Sequence, residues 1–395
     1  MSEPSRRGLL ASLGALALGG CVADRPETTA TQSSPPSTES STPTSTATPV
    51  APAEFGTTWP APAHDAGLSN GTTAAGPTDP VAELWTVSLP APTAPVFADA
   101  TVYASADGAV HALDARTGDR RWQTPVGAGA GSPWCRTDQV VVPVDGAVVA
   151  LDTAGTEQWR VETPDRAALL VTTAGIYWLA DGDPPTVVAL SPDGREQWRT
   201  DLGEPWRPPL FAGSGRVFVS SGTHDSRFWQ LDAATGERLG EPPRSGADFP
   251  AEQFARDGTV YAADAFFGNV RATPVDDGDG WSQATAPGGE AGGGLLAGDG
   301  SRVYYTANAD DEPSVFALGA DGTVGWTAAF DAIVTGRPVA ARETVLVPTD
   351  AGLRALDRAD GTPLWTHAGV GERVAVVDDI VYAAGDGSVT AYRPP

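Results

Sequence analysis

The chain has 395 residues, 41% of them apolar, enough to bury a large core. Its 25 basic residues are all arginine and face 50 acids, giving a formal net charge of −25. Such a surface repels nucleic acid and anionic lipid heads, and without lysine neither Schiff-base chemistry nor a P-loop is open to it. An acidic, lysine-free exterior also suits concentrated salt, where self-repulsion is screened, and so fits a halophilic setting.

The first element is an export signal at residues 1–20. Arg6 and Arg7 precede an apolar run from Gly8 to Gly20, too short to span a bilayer. "SRRGLL" resembles a twin-arginine motif and "LGGC" a lipoprotein processing box, which makes Cys21 the expected lipidated residue and places the protein outside the cytoplasm on a membrane lipid anchor. Residues 21–54 form a Ser/Thr/Pro tract that cannot pack and reads as a disordered stalk. With Cys21 taking lipid, Cys135 stands alone; it reads as a buried, inert thiol, and no intrachain disulfide is expected.

After a lead-in at residues 55–83, one string recurs: "ALDARTGDRRW" ending at Trp122, then copies ending at Trp159, Trp198, Trp326 and Trp365. Two copies are degraded, one with Leu239 near the tryptophan position and one ending at Trp281. Counted with Tyr392, eight ladder positions lie 36 to 45 residues apart, a period of stacked supersecondary units. Within a unit, short apolar runs are split by turn residues such as Asp107-Gly108 and Thr117-Gly118, giving four antiparallel strands. The last copy stops too early for a fourth strand, while "ELWTVSL" around Trp85 is a tryptophan strand with no unit before it. The expectation is an all-β, eight-bladed β-propeller of four-stranded antiparallel blades over residues 84–395, closed by the N-terminal strand around Trp85.

The Ala-x-Asp-x-x-Thr-Gly-x-x-x-Trp string resembles the tryptophan-docking motif of quinoprotein dehydrogenases and of the wider PQQ-like repeat family, over about 310 residues. The lead-in "TTWPAPAHDAGLSNG" is similar to segments before such propellers. The resemblance implies docking roles for Trp85, Trp122, Trp159, Trp198, Trp281, Trp326 and Trp365. The family includes cofactor-binding enzymes and cofactor-free scaffolds, such as the propeller lipoprotein of the outer-membrane barrel assembly machine, so fold alone does not decide function. The dehydrogenases commonly use a vicinal cysteine disulfide and a calcium held by Glu, Asn and Asp. This chain has no Cys-Cys pair and no motif that selects an acid trio.

Other signals are weak. His64, His111, His224 and His367 lack metal-ligand spacing. Aligning the units places Arg166, Arg207, Arg337 and Arg373 just before inner strands, at one mouth of the central channel, as a candidate site for an anionic ligand unless each pairs with a neighbouring acid. No catalytic residue and no metal ligand is assigned. The reading is a monomeric, lipid-anchored scaffold that binds a protein partner and carries no cofactor. The alternatives are a membrane-tethered quinoprotein-like oxidoreductase using PQQ and Ca²⁺, and a sugar- or cell-wall-binding surface protein.

Overall fold

The computed structural model describes residues 55–163, 166–180, 182–203, 210–220, 228–240, 250–264, 268–276, 280–284, 294–308 and 312–395. The expected export signal, Cys21, the expected stalk, Arg207 and His224 lie outside them. Residues 53–395 form one compact unit. It is all β, with eight antiparallel sheets arranged as an eight-bladed propeller.

Blade 1 runs outward through Val96–Ala98, Thr101–Ala106, Ala109–Asp114 and Arg120–Pro125. The innermost strands of blades 2 to 8 are Trp134–Cys135, Arg166–Val171, Leu210–Gly213, Pro250–Arg256, Leu295–Gly298, Val339–Ala340 and Arg373–Val377. Middle strands are buried on both faces, because each blade is stacked between two others. Thus His111 is as enclosed as Val110 and Ala112. Outer strands such as Arg120–Pro125 and Glu157–Glu162 alternate between exposed and half-buried positions, as strands covered on one side do. Among the described residues, the turns after first strands, and after third strands wherever a blade has such a turn, fall on one face. The turns after the second strands, and the links between blades, fall on the other.

Blade 8 draws its strands from both ends of the unit. Ala82–Ser88, which carries Trp85, pairs antiparallel with Ser388–Arg393 and supplies the missing outer strand.

Each tryptophan docks on the following blade. The indole N–H of Trp85 donates to Ala115 O (3.0 Å), Trp122 to Thr153 O (2.9 Å), Trp159 to Pro192 O (2.8 Å) and Trp198 to Ala233 O (3.2 Å). Trp281 likewise donates to Ala320 O (2.7 Å) and Trp326 to Arg358 O (3.1 Å). All six acceptors lie in turns after third strands. The repeat aspartate shapes these turns: Asp114 Oδ1 accepts from the backbone N–H groups of Arg116 and Thr117, and Asp152 Oδ1 from those of Ala154 and Thr156. The glycine has two duties. Gly155 has φ of +86°, and a Cβ there would lie 2.7 Å from the Trp122 ring, so the indole rests directly on the backbone.

Two places depart from the pattern. Blade 4 has three strands among the described residues, and its fourth position is reduced to a bridge between Leu231 and Arg238. Leu239 has no indole N–H to dock, and the Arg238 guanidinium instead covers the Trp229 ring at 4.6 Å. Trp365 donates to Pro77 O (3.0 Å) in the lead-in, because blade 8 has no third-strand turn of its own: its third and fourth strands come from opposite ends of the chain.

The lead-in is a belt around the inner wall of the channel. Trp59 and Phe97 exchange backbone bonds, Cys135 N–H donates to Pro60 O, Ala212 N–H to Ala66 O, and Ala255 N–H to Gly67 O. Gly298 N–H donates to Ser69 O, Ala340 N–H to Asn70 O, and Gly76 N–H to Asp378 O. The belt thus meets blades 1, 2, 4, 5, 6, 7 and 8 in order, each near the end of its innermost strand, and pairs backbone groups that would otherwise face the channel. Asp65 holds its shape. Its carboxylate accepts from Ser69 N–H (3.0 Å), the Ser69 hydroxyl (2.5 Å) and Arg256 Nη1 of blade 5 (2.8 Å). Burial alone would raise the Asp65 pKa, but the His64 ring beside it, 3.6 Å away, and the hydrogen bonds from Ser69 outweigh it and hold it below the usual value.

The double duty of the turn glycine is tested by a matched pair. Gly146, with φ of +73° and open space around its Cβ direction, should lose about 1–2 kcal/mol on substitution by alanine from the left-handed backbone alone. Gly155→Ala should lose at least about 1–2 kcal/mol more, because the Trp122 ring must also move. Equal losses in denaturant unfolding would remove the docking role of that glycine.

A truncation series tests closure. Removing residues 1–54 should leave the thermal midpoint unchanged. Removing 1–80 strips the belt but keeps the closing strand, and should lower the midpoint by about 10 °C or more. Removing 1–90 exposes the edge of Ser388–Arg393 and should give aggregation. Equal midpoints for the three chains would refute this account of closure.

Candidate functional site at the channel mouth

The channel mouth opens on the face of the blade links, opposite the belt-lined end. Arg337 and Arg373 both line a cavity there of about 270 Å³, with Pro62, Asn70, Ala94, Leu295, Thr335 and Glu372. Pro62 and Asn70 belong to the belt, so the lead-in forms the floor. Asn70 is left-handed (φ +52°), and its side-chain amide donates to Pro338 O.

The two arginines differ in their engagements. Arg337 Nη2 donates to Leu68 O (2.6 Å) and Leu296 O (3.0 Å), and its Nε lies 3.5 Å from the Glu252 carboxylate. Its charge locks belt, blade 6 and blade 5 together. Arg373 is exposed; its hydrogen bond is a long one to Pro92 O (3.4 Å), and among the described residues it makes no ion pair. Arg166 begins the innermost strand of blade 3, its backbone opposite Ala180. Of the four mouth arginines read from the sequence, the structure brings Arg337 and Arg373 to one cavity. The acid that meets Arg337 is Glu252, two blades away in the ring, rather than a sequence neighbour.

Aligning the units puts Glu252 at the same level of blade 5, but its pairing with Arg337 was not legible in the sequence. Burial raises its pKa, and the Arg337 guanidinium pulls the other way without restoring the ordinary value. Among the described residues, no group of three His, Cys, Asp or Glu side chains is placed to hold a metal ion. His111 is buried in blade 1, His64 packs edge-on against Trp59 in the belt, and His367 packs against Tyr392 in blade 8. Burial also pushes the Cys135 thiol up, away from thiolate reactivity. No helix among the described residues is long and apolar enough to cross a membrane. Chemically, among the described residues the mouth offers one unpaired cation, Arg373, and a carboxyl whose proton is held more tightly than usual, Glu252.

Solved structures share this fold. BamB from Moraxella catarrhalis is 18% identical with a TM-score of 0.59, covering 80% of this chain and 98% of that one. A europium-containing methanol dehydrogenase is 14% identical with a TM-score of 0.60, covering 83% and 88%. Sqt1 from Saccharomyces cerevisiae is 13% identical with a TM-score of 0.60, covering 80% and 98%. No curated protein sequence matches the chain. The family described as "Outer membrane protein assembly factor BamB" matches residues 78–177, 145–280 and 256–395. Matched in three overlapping stretches, as a repeating scaffold requires, the chain belongs to the family of the outer membrane protein assembly factor BamB.

Proposed function

We propose that this protein is a lipid-anchored, extracytoplasmic propeller that binds a protein partner as an assembly scaffold. The observation that carries this reading is the use of the channel. The belt lines one end of it, and the guanidinium of Arg337 is spent on two carbonyls and Glu252. Family membership agrees with a protein-assembly role. The anchor rests on Cys21 and the export reading on Arg6 and Arg7, with residues 21–54 as stalk.

The oxidoreductase alternative demands a site for PQQ, a flat tricarboxylate, and the mouth does not fit it. Among the described residues that line it, three carboxylates would meet one unpaired arginine, Arg373, with Glu252 and Glu372 alongside, and no described aromatic ring lines the cavity to stack on a planar group. A metal-ligating trio of acids is also missing from the described residues.

The scaffold reading is tested on purified protein in high salt, incubated with PQQ and Ca²⁺. No stoichiometric chromophore and no alcohol- or sugar-dependent dye reduction is expected, while tagged protein in solubilised membranes should retain a protein partner in stoichiometric amount. Tight PQQ binding with substrate-dependent turnover would overturn it. The anchor has its own test: Cys21→Ser should release the protein from membranes or leave it unprocessed, since a lipid chain is the membrane-binding element the sequence provides. Unchanged membrane retention would count against lipidation.

A further inference from the structure

A second cavity, of about 460 Å³, lies between blades 7 and 8 on the mouth face. It is lined by Thr335, Glu372 and Arg373, which it shares with the channel mouth, and farther out by Gly369, Asp350 and Asp386. The two cavities therefore meet at Arg373. Four glycines, Gly352, Gly369, Gly371 and Gly385, form much of the wall. At Gly371 a Cβ would come 2.4 Å from Ala384 O, so the link and the turn are pressed together, whereas at Gly369 nothing lies within 4 Å. The result is a groove with a backbone wall, open along the top.

Three features of this groove point to a ligand. Arg373 stands exposed at its inner end and, among the described residues, without an ion pair, in a chain of net charge −25. Glu372 beside it and Asp350 and Asp386 at the outer end limit the groove to a single carboxylate, at Arg373, and exclude a polyanion. Ile333 is 54% exposed, more than any other large apolar side chain among the described residues, and its backbone N–H and C=O both bond Asp350 at the groove rim. An unpaired cation, an exposed aliphatic side chain and a wall of backbone suit an extended chain with mixed side chains. Among the described residues, no aromatic platform lines the groove, as a sugar ring would favour.

The geometry points to this groove as the docking site for an extended polypeptide segment that places a carboxylate on Arg373 and an apolar side chain on Ile333. The assignment rests on the scaffold reading and gives the partner its chemistry. Approach along this path is unobstructed by the belt, which crosses the opposite end of the channel. A charge-assisted, two-pronged bond from a guanidinium to a carboxylate is the strongest contact such a groove can make, and it survives salt better than long-range attraction does.

The test uses the processed full chain and two dye-labelled octapeptide pools, one carrying a single Asp or Glu at a random position, the other Asn or Gln in its place. Fluorescence anisotropy should show the acidic pool bound about tenfold more tightly than the amide pool. Arg373→Gln should abolish that preference, and Ile333→Ser should weaken both pools. Arg342→Gln, an exposed arginine on the opposite face, should change neither. Both groove residues are exposed, so matching thermal midpoints will show that the variants fold. Equal binding of the two pools, or an acidic preference that persists in Arg373→Gln, would overturn the assignment. So would a uronic-acid oligosaccharide that displaces the acidic pool and shows the same dependence on Arg373 and Ile333. If a membrane partner is captured equally by wild type and both variants, the scaffold reading stands and the groove falls.

Discussion

The ring must close, and everything else in the structure depends on that. A propeller with a gap exposes two blade faces and a strand edge, and its inner strands leave backbone groups pointing into the channel. Here one stretch of about thirty residues before blade 1 meets both demands. Its first part bonds the inner strands as a belt, and its last part, Ala82–Ser88, makes six strand pairs with Ser388–Arg393. The entropy of joining positions some 300 residues apart is modest. Because the cost grows only with the logarithm of loop length, it exceeds that of a 40-residue loop by about 2 kcal/mol. Six paired residues and the docking of Trp85 on Ala115 readily offset that. Closure by distant chain ends is therefore thermodynamically cheap, and it ties the first and last blades into one cooperative unit.

What the sequence made legible is what depends on local spacing. The Asp, Gly and Trp of each repeat act within one turn and the indole that rests on it, so their pattern survives in a linear reading. The missing outer strand could be inferred because a last blade without one and a lone Trp85 strand fit each other. The degraded copy at Leu239 also marked a real difference, since blade 4 is the one with a reduced fourth position. The belt was illegible for a physical reason. Its bonds run through backbone atoms, which leave no side-chain signature beyond Asp65 and the glycines it passes on. Arg337 shows the same limit: aligning the repeats placed it at the mouth, yet its acceptor Leu68 O is 269 positions away and its acid lies in another blade.

The acidic composition has a structural share that net charge conceals. Asp114 and Asp232 end third strands, Asp321 and Asp360 lie in the turns that follow such strands, and each is held below its usual pKa. For Asp232 the first cause is the backbone N–H of Thr235, and for Asp321 and Asp360 it is the hydroxyl of a nearby threonine. Such contacts are short and local. Salt screens the repulsion among exposed carboxylates across the surface much more than it weakens a hydrogen bond inside a turn. Rising ionic strength thus removes the cost of a −25 charge while leaving in place the caps on which the tryptophans dock.

The belt also makes the propeller one-sided. An open channel would present two similar mouths, and a ligand could reach the inner strands from either. With residues 56–77 wound around one end, the inner strands are covered there, and Asn70 and Pro62 become a floor rather than a passage. The same winding uses up Arg337, which bonds the belt through Leu68 O. Arg337 and Arg373, both free at one cavity, would have formed a general anion trap. Because Arg337 is committed to holding the floor, the available charge among the described residues there is concentrated at Arg373, off the channel axis and beside the blade 7 and 8 groove. The contact that stabilises the ring therefore also determines where on its surface a charged partner can be met.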